Sequence, residues 1–204
     1  MSPTFRILTE TMSASDVAVS DIEGDNLLHR ITKVHCGVIL KPFTLEEYVY
    51  EPTQIEDYLG CLSRQATVVG HNFRGFDLLA LAKLYGYRHP GFCFDTLILS
   101  RLINPERLHH SLGAWGQQLK CFKGDYSEAF KARMKAEGIK YTEGMEWREF
   151  SKAMFDYCIQ DVKVNAILFL HMVIRLQWWD WFGTTKAECE RCMKAIREGD
   201  VRRM

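Results

Sequence analysis

The sequence predicts an α/β domain with a mixed sheet, on three observations: early segments in which apolar and polar residues alternate, short apolar runs bounded by turn residues, and apolar residues at helical spacing between them. Val17 and Val19 alternate in VAVSDI, Val34, Cys36, Val38 and Leu40 in TKVHCGVIL, and EEYVYE (46–51) makes a third strand, so the chain opens as an antiparallel meander. Ile55, Tyr58, Leu59 and Leu62 then fall at helical spacing after Pro52. ATVVG (66–70) reads as a short buried strand, and GFDLLALAKLYG (75–86) as a helix stopped by Gly86. FCFD (92–95) is the fifth strand, and TLILSRLI (96–103) a helix that Asn104 and Pro105 end. A further helix opens at Ser111 and contains Trp115, and a surface helix is expected from Tyr126 to Glu137 inside a polar stretch, 120–140, with six basic and three acidic side chains. Residues 147–177 read as two successive helices or one long bent one. With no internal repeat or low-complexity linker, five strands alternating with helices make a single α/β domain.

At 204 residues with 47% apolar side chains, the chain can bury a sizeable core. Lysines and arginines number 26 and acids 26, so no electrostatic excess marks a general binder of nucleic acid or membrane. Seven scattered cysteines lack the framework of a small secreted protein and read as reduced thiols. Cys189 and Cys192 have the spacing of half a zinc site, but no second pair follows, so they read as thiols on a helix surface. MSPTFRILTETMSASD has no apolar signal region, and the run AILFLHMVI (166–174) is too short to span a bilayer. The expectation is a cytoplasmic protein that engages no membrane, with a loose extension over 1–16, the domain over 17–182 and a polar helix or tail over 183–204.

Carboxylates cluster where core strands and helices end. Asp21 and Glu23, two apart on a strand, point to one face, and two adjacent anions disfavour each other unless a cation lies between them. A hard divalent ion suits such oxygen ligands; a solvated strand end is the plain alternative. In HNFRGFD (71–77), Asp77 stands at a helix entrance, where a carboxylate is also favoured electrostatically. In YCIQD (157–161), Tyr157 and Asp161 are four apart on one helix face among core residues, and an Asp so placed requires a partner from elsewhere in the fold.

DxE, then NxxxxD, then YxxxD, in this order, resembles the DEDD exonuclease superfamily in its tyrosine subtype. The histidine subtype would need His where Asp156 stands. SDIEGDNLL, TKVHCGVI, DTLILSRLI, HSLGAWG, GMEWREF and YCIQDV are similar to the 3′–5′ proofreading domain of short-tailed-phage DNA polymerases of family A, over roughly residues 17–175. Five positions separate Asn72 from Asp77, as in the phage branch. Those polymerases continue where this sequence stops, so an excised domain or a separate exonuclease subunit is expected.

The resemblance implies a ribonuclease H-like fold, a mixed five-stranded sheet flanked by helices, and two divalent ions, Mg²⁺ or Mn²⁺. Asp21, Glu23 and Asp161 would hold one ion, and Asp21 and Asp77 the other, with Tyr157 and Glu23 orienting the attacking water. The substrate implied is a single-stranded or frayed DNA 3′ end, shortened to 5′-mononucleotides beside a DNA polymerase, in a bacterial host's cytoplasm if phage-encoded. Leu27 holds the place of an apolar wedge against the terminal base, Gly24 that of a close approach to the sugar, and Asn72 that of a strand-contacting amide. His110 or Ser111 would meet a phosphate, while His71 reads as a hydrogen-bonded supporting or turn residue. An RNA-trimming exonuclease and a non-cleaving DNA-end or polymerase-binding module are the alternatives. QWWDWF (177–182) is either ordinary packing or an exposed docking surface.

Overall fold

The alternation in VAVSDIEG builds β1 (Val17–Gly24), which runs through the middle of a six-stranded sheet. The structure, a computed structural model, describes residues 12–204. β2 (Val34–Lys41) and β3 (Glu46–Tyr50) continue as an antiparallel meander that sets Asp21 opposite Val38 and Glu23 opposite Cys36. On the other side of β1 lie β4 (Thr67–Gly70) and β5 (Phe92–Asp95), each parallel to its neighbour. A sixth strand corrects the five-stranded expectation: β6 (Arg202–Arg203) adds parallel to β3. Two residues are too few for periodicity to reveal; the strand is fixed instead by Arg203, which pairs at 2.6 Å with the buried Glu47, a carboxylate that Lys163 also approaches at 3.5 Å.

Helices cover both faces. Ala18, Ile22 and Ile39 face α1 (Ile55–Ser63) and α2 (Asp77–Tyr85), which supply Tyr58, Leu62, Ala80 and Leu81. Val17, Val19, Val38 and Leu40 face the opposite way, into a core built on α6 (Lys152–Arg175). Between them in the chain come α3 (Thr96–Ile103), α4 (Leu112–Gln118) and α5 (Tyr126–Ala136), and after them α7 (Lys186–Glu198).

The 147–177 segment settles as one helix. No Gly or Pro interrupts 152–175, and Ser151 Oγ caps the start by accepting from the Met154 amide at 3.1 Å. By length and hydropathy α6 could cross a membrane, but most of its apolar window is buried inside the protein. It is apolar nearly all round because the sheet lies on one side and α4 and α7 on the other.

Cys189 and Cys192 correct a second expectation. Both are fully buried, since α7 turns Cys189, Cys192 and Ile196 inward as one stripe among charged neighbours. A free Cys serves here as a small apolar residue. The tryptophans of QWWDWF are half-buried packing: Trp178 and Trp181 lie 6.0 and 5.9 Å from the ring of Phe94. The extension expected over 1–16 lies outside the described residues as far as residue 11; Met12 donates its amide to Trp181 O at 2.9 Å.

Candidate active site

β1, β4 and β5 all run the same way, and their C-terminal ends deliver Glu23, Gly70 and Asp95 to one rim of the sheet, the usual place for a site in α/β folds. Asp21 and Glu23 point from β1 toward α6, on the same face as Cys36 and Val38. Asp77 is the first residue of α2 and only 3% exposed; its Oδ1 accepts from the Ile22 amide at 3.2 Å. From the other face, α6 supplies Tyr157 and the buried Asp161, one turn apart. Asp21, Tyr157 and Asp161 open onto a cavity of roughly 1100 Å³, which Asn72, His110 and Ser111 also line.

Burial first, and like charges second, raise the acids. Asp21 is pushed well up by burial first, then by Asp77, Glu23 and Asp161. Burial raises Glu23 in the same way, with Cys36 and Asp161 adding to it. Burial lifts Asp77 to about 7, although the Ile22 amide and its own backbone oppose the shift. The Tyr157 phenol is pushed up by burial and by Asp161, so it stays protonated.

The partner that a buried Asp161 requires is Lys123, on the loop between α4 and α5. Its ammonium lies 2.5 Å from Asp161 Oδ2 and 4.7 Å over the Tyr157 ring. Burial opposes the charge on Lys123, but Asp161 outweighs that and holds the ammonium above its ordinary value. Sequence reasoning missed this residue because it sits in a polar stretch that reads as a solvated surface; the only signal was the demand of Asp161 for a cation.

The residues fit a divalent metal. Asp161 Oδ1 is buried without a hydrogen-bond partner, and carboxylate oxygens of Asp21 and Glu23 lie with Cys158 Sγ within 4.8 Å of one another. Converging carboxylate oxygens are the donor set of Mg²⁺ and Mn²⁺.

Asn72 sits in the left-handed region (φ 61°), on a turn held by Asp95, whose Oδ1 accepts from the Asn72 amide and Oδ2 from the Arg74 amide, each at 3.1 Å. Asp95 also caps α3 through the Leu97 and Ile98 amides. It was passed over in the sequence, although an Asp closing a strand just before a helix is an N-cap signature. His71 Nδ1 bonds Thr96 Oγ1 at 2.9 Å, and Thr96 donates to Asn165 Oδ1 at 2.7 Å; burial pushes His71 down to about 4, so the ring is neutral. His110 Nδ1 pairs with Ser100 Oγ at 2.7 Å, and Ser111 Oγ caps α4 from the cavity rim. Leu27 is 67% exposed on the turn after β1. At Gly24 a Cβ would stand 2.5 Å from Ile31 Cδ1 and 3.3 Å from Lys33 O, so the Ile31 side chain would have to shift to admit one.

A mixed sheet with helices on both faces, four acids in the order DxE, D, D, and a tyrosine one turn before the last acid are features that the chain shares with the DEDD exonuclease superfamily in its tyrosine subtype. It is similar to the DNA-directed DNA polymerases of Escherichia phage T7 and Enterobacteria phage T3, each 37% identical over 179 residues, covering 74% of this chain. The chain spans about a quarter of the length of these polymerases (25%). Its fold is similar to that of Brucella melitensis NrnC, solved with bound Mg²⁺ (TM-score 0.52, 20% identity, 94% of this chain and 85% of that one) and bound to pGG (TM-score 0.55, 21% identity, the same coverage). A nuclease in its apo form matches with TM-score 0.56 at 17% identity, over 97% of this chain and 86% of that one. No protein-family model matches the chain.

Proposed function

We propose that this chain is a divalent-metal-dependent 3′–5′ exonuclease that removes mononucleotides from single-stranded or frayed DNA 3′ ends. The observation that carries the reading is the gathering of Asp77, Glu23 and Asp161, from α2, β1 and α6, close enough around Asp21 to raise it, with Asp21, Asp161 and Tyr157 lining one open cavity. Asp21, Glu23 and Asp161 would hold one ion, and Asp21 and Asp77 a second. Bound Mg²⁺ or Mn²⁺ would neutralise the carboxylates and stabilise charge on the attacking and leaving oxygens of a phosphodiester.

The chain's own groups do the rest. The Tyr157 phenol keeps its proton and can donate to the attacking water, while Glu23 accepts from it. Leu27, exposed on the turn after β1, would offer an apolar face to the terminal base and read no base edge, which suits an enzyme that must accept any base. Asn72 is fixed by Asp95 where its amide can contact the strand, and His110 and Ser111 lie where a backbone phosphate can be met. Similarity to the phage polymerases supports a proofreading role beside a DNA polymerase, as a domain of it or as a separate subunit.

The test is release of mononucleotides from a 5′-labelled, 3′-mismatched primer–template with Mg²⁺, beside Asp21→Ala and a matched RNA oligonucleotide. Stepwise shortening of DNA that the variant loses is the expected result. Faster shortening of RNA would replace the substrate assignment, and tight binding with no release in Mg²⁺ or Mn²⁺ would leave a non-cleaving module.

A further inference from the structure

Resting on that metal-dependent reading, we propose that Lys123 is a displaceable counterion: a positioning residue that holds Asp161 and Tyr157 until a divalent ion takes its place at Asp161. The ammonium is aimed by the helix it serves. Gln160, the residue before Asp161, donates Nε2 to Phe122 O at 2.8 Å and so fixes the backbone next to Lys123. Upstream, the Cys121 amide donates to Gly116 O at 2.9 Å, and Lys120 adopts φ 54° to close the turn. A Cβ on Gly116 would meet Cys121 O at 2.6 Å, so α4 and this loop are packed too tightly for Lys123 to sit here by accident of a loose loop.

The charge balance points the same way. Four carboxylates share the site, and among the described residues Lys123 is the one cation within ion-pair distance of any of them. One ammonium cannot neutralise four acids, and it leaves Asp161 Oδ1 buried and unpartnered. Lys123 therefore satisfies half of one carboxylate, which keeps α6 tolerable without metal and leaves a strong demand for more positive charge. An ion drawing on Asp161 competes with the ammonium for the same negative charge. Lys123 is also partly exposed at the cavity wall, its side chain 23% accessible, so it has room to move away when displaced.

The competition predicts a signature that a merely structural lysine lacks. Lys123→Met should lower the melting temperature of the metal-free protein, because Asp161 is then buried without a partner, yet bind metal more tightly. Calorimetric titration of wild type and variant with Mn²⁺ should give about a tenfold lower Kd for the variant, a coupling of the size common between two linked ligands. Equal or weaker binding by Lys123→Met overturns the proposal. If wild type binds no Mn²⁺, the metal-dependent reading itself fails, and the proposal with it. Should the variant fold poorly, wild type alone suffices: acylation of Lys123 by an N-hydroxysuccinimide acetate, read by mass spectrometry, should rise when Mn²⁺ is added. Unchanged or slower acylation refutes displacement.

Discussion

Between the two carboxylates of β1, the Ile22 amide donates to Asp77 Oδ1 at 3.2 Å, across 55 residues of sequence. β4 pairs with β1 only as far as Val19 opposite Val69, and then turns away at His71. The Asp77 side chain thus takes up a ladder donor that the departing strand leaves free. This bond fixes α2 against β1 and explains how a carboxylate at a helix start becomes nearly inaccessible beside two others. The backbone bond stabilises its charged form, while its burial disfavours it.

Asp77→Asn separates the two roles. An amide oxygen still accepts from Ile22, so the fold should survive, and loss of one of four crowded charges should leave the metal-free melting temperature unchanged or higher. Cleavage should fall on the order of a hundredfold or more, the scale of losing one stabilising group at a reacting centre. Cleavage near the wild-type rate would make Asp77 a strut alone.

The raised acids set a pH dependence whose sign is fixed. Asp77 holds its proton to about 7 in the native state, and Asp21 and Glu23 are likewise raised, whereas an unfolded chain releases these protons near pH 4. Between those limits the native state binds more protons, so stability falls as pH rises. The metal-free melting temperature should therefore drop between about pH 5 and about pH 8. Added Mg²⁺ or Mn²⁺, which binds the deprotonated cluster, should raise it more at the upper pH. A metal-free melting temperature that climbs over this range would contradict the clustering of the acids.

Asp95 accepts from four backbone amides, two on the Asn72 turn and two at the start of α3. Asp95→Ala should cost about 1–3 kcal/mol, the range for a lost cap and newly unpaired amides, measured by urea unfolding. Because the Asn72 turn loosens, KM for an oligonucleotide should rise more than kcat falls. A stable variant with wild-type kinetics would show that the turn holds itself.

The candidate residues Asp21, Glu23, Tyr157 and Asp161 could be picked out because their spacing follows local geometry: two apart on a strand for the first pair, four apart on a helix for the second. The strands and helices around them were legible for the same reason. Lys123 was not, since it acts across the fold on a partner 38 residues away, and of Asp95 only the helix cap was local, its hold on the Asn72 turn reaching back 23 residues. Cys189 and Cys192 misled because a charged helix looks solvent-facing unless its inward stripe is followed to Ile196. β6 was invisible because its position depends on Glu47 and the edge of β3, not on any pattern in two arginines.

Leu27 gives the cleanest test of substrate contact, because its side chain contributes little to the fold. Its turn is held by backbone: the Arg30 and Ile31 amides both donate to Leu27 O at 2.8 Å, and Lys83 Nζ donates to Leu28 O at 3.0 Å. With the side chain 67% exposed, Leu27→Ala should leave the melting temperature within about a degree of wild type, as surface changes usually do. If Leu27 packs against the terminal base, the truncation removes about three buried carbons' worth of apolar contact, on the order of 1–2 kcal/mol, or roughly a five- to thirtyfold rise in KM for single-stranded DNA. The loss should be larger on a paired 3′ end, where an apolar wedge must also separate the terminal base from its partner. Unchanged kinetics on both substrates would show that the exposed leucine faces solvent throughout the reaction and that the terminal base is held elsewhere in the cavity.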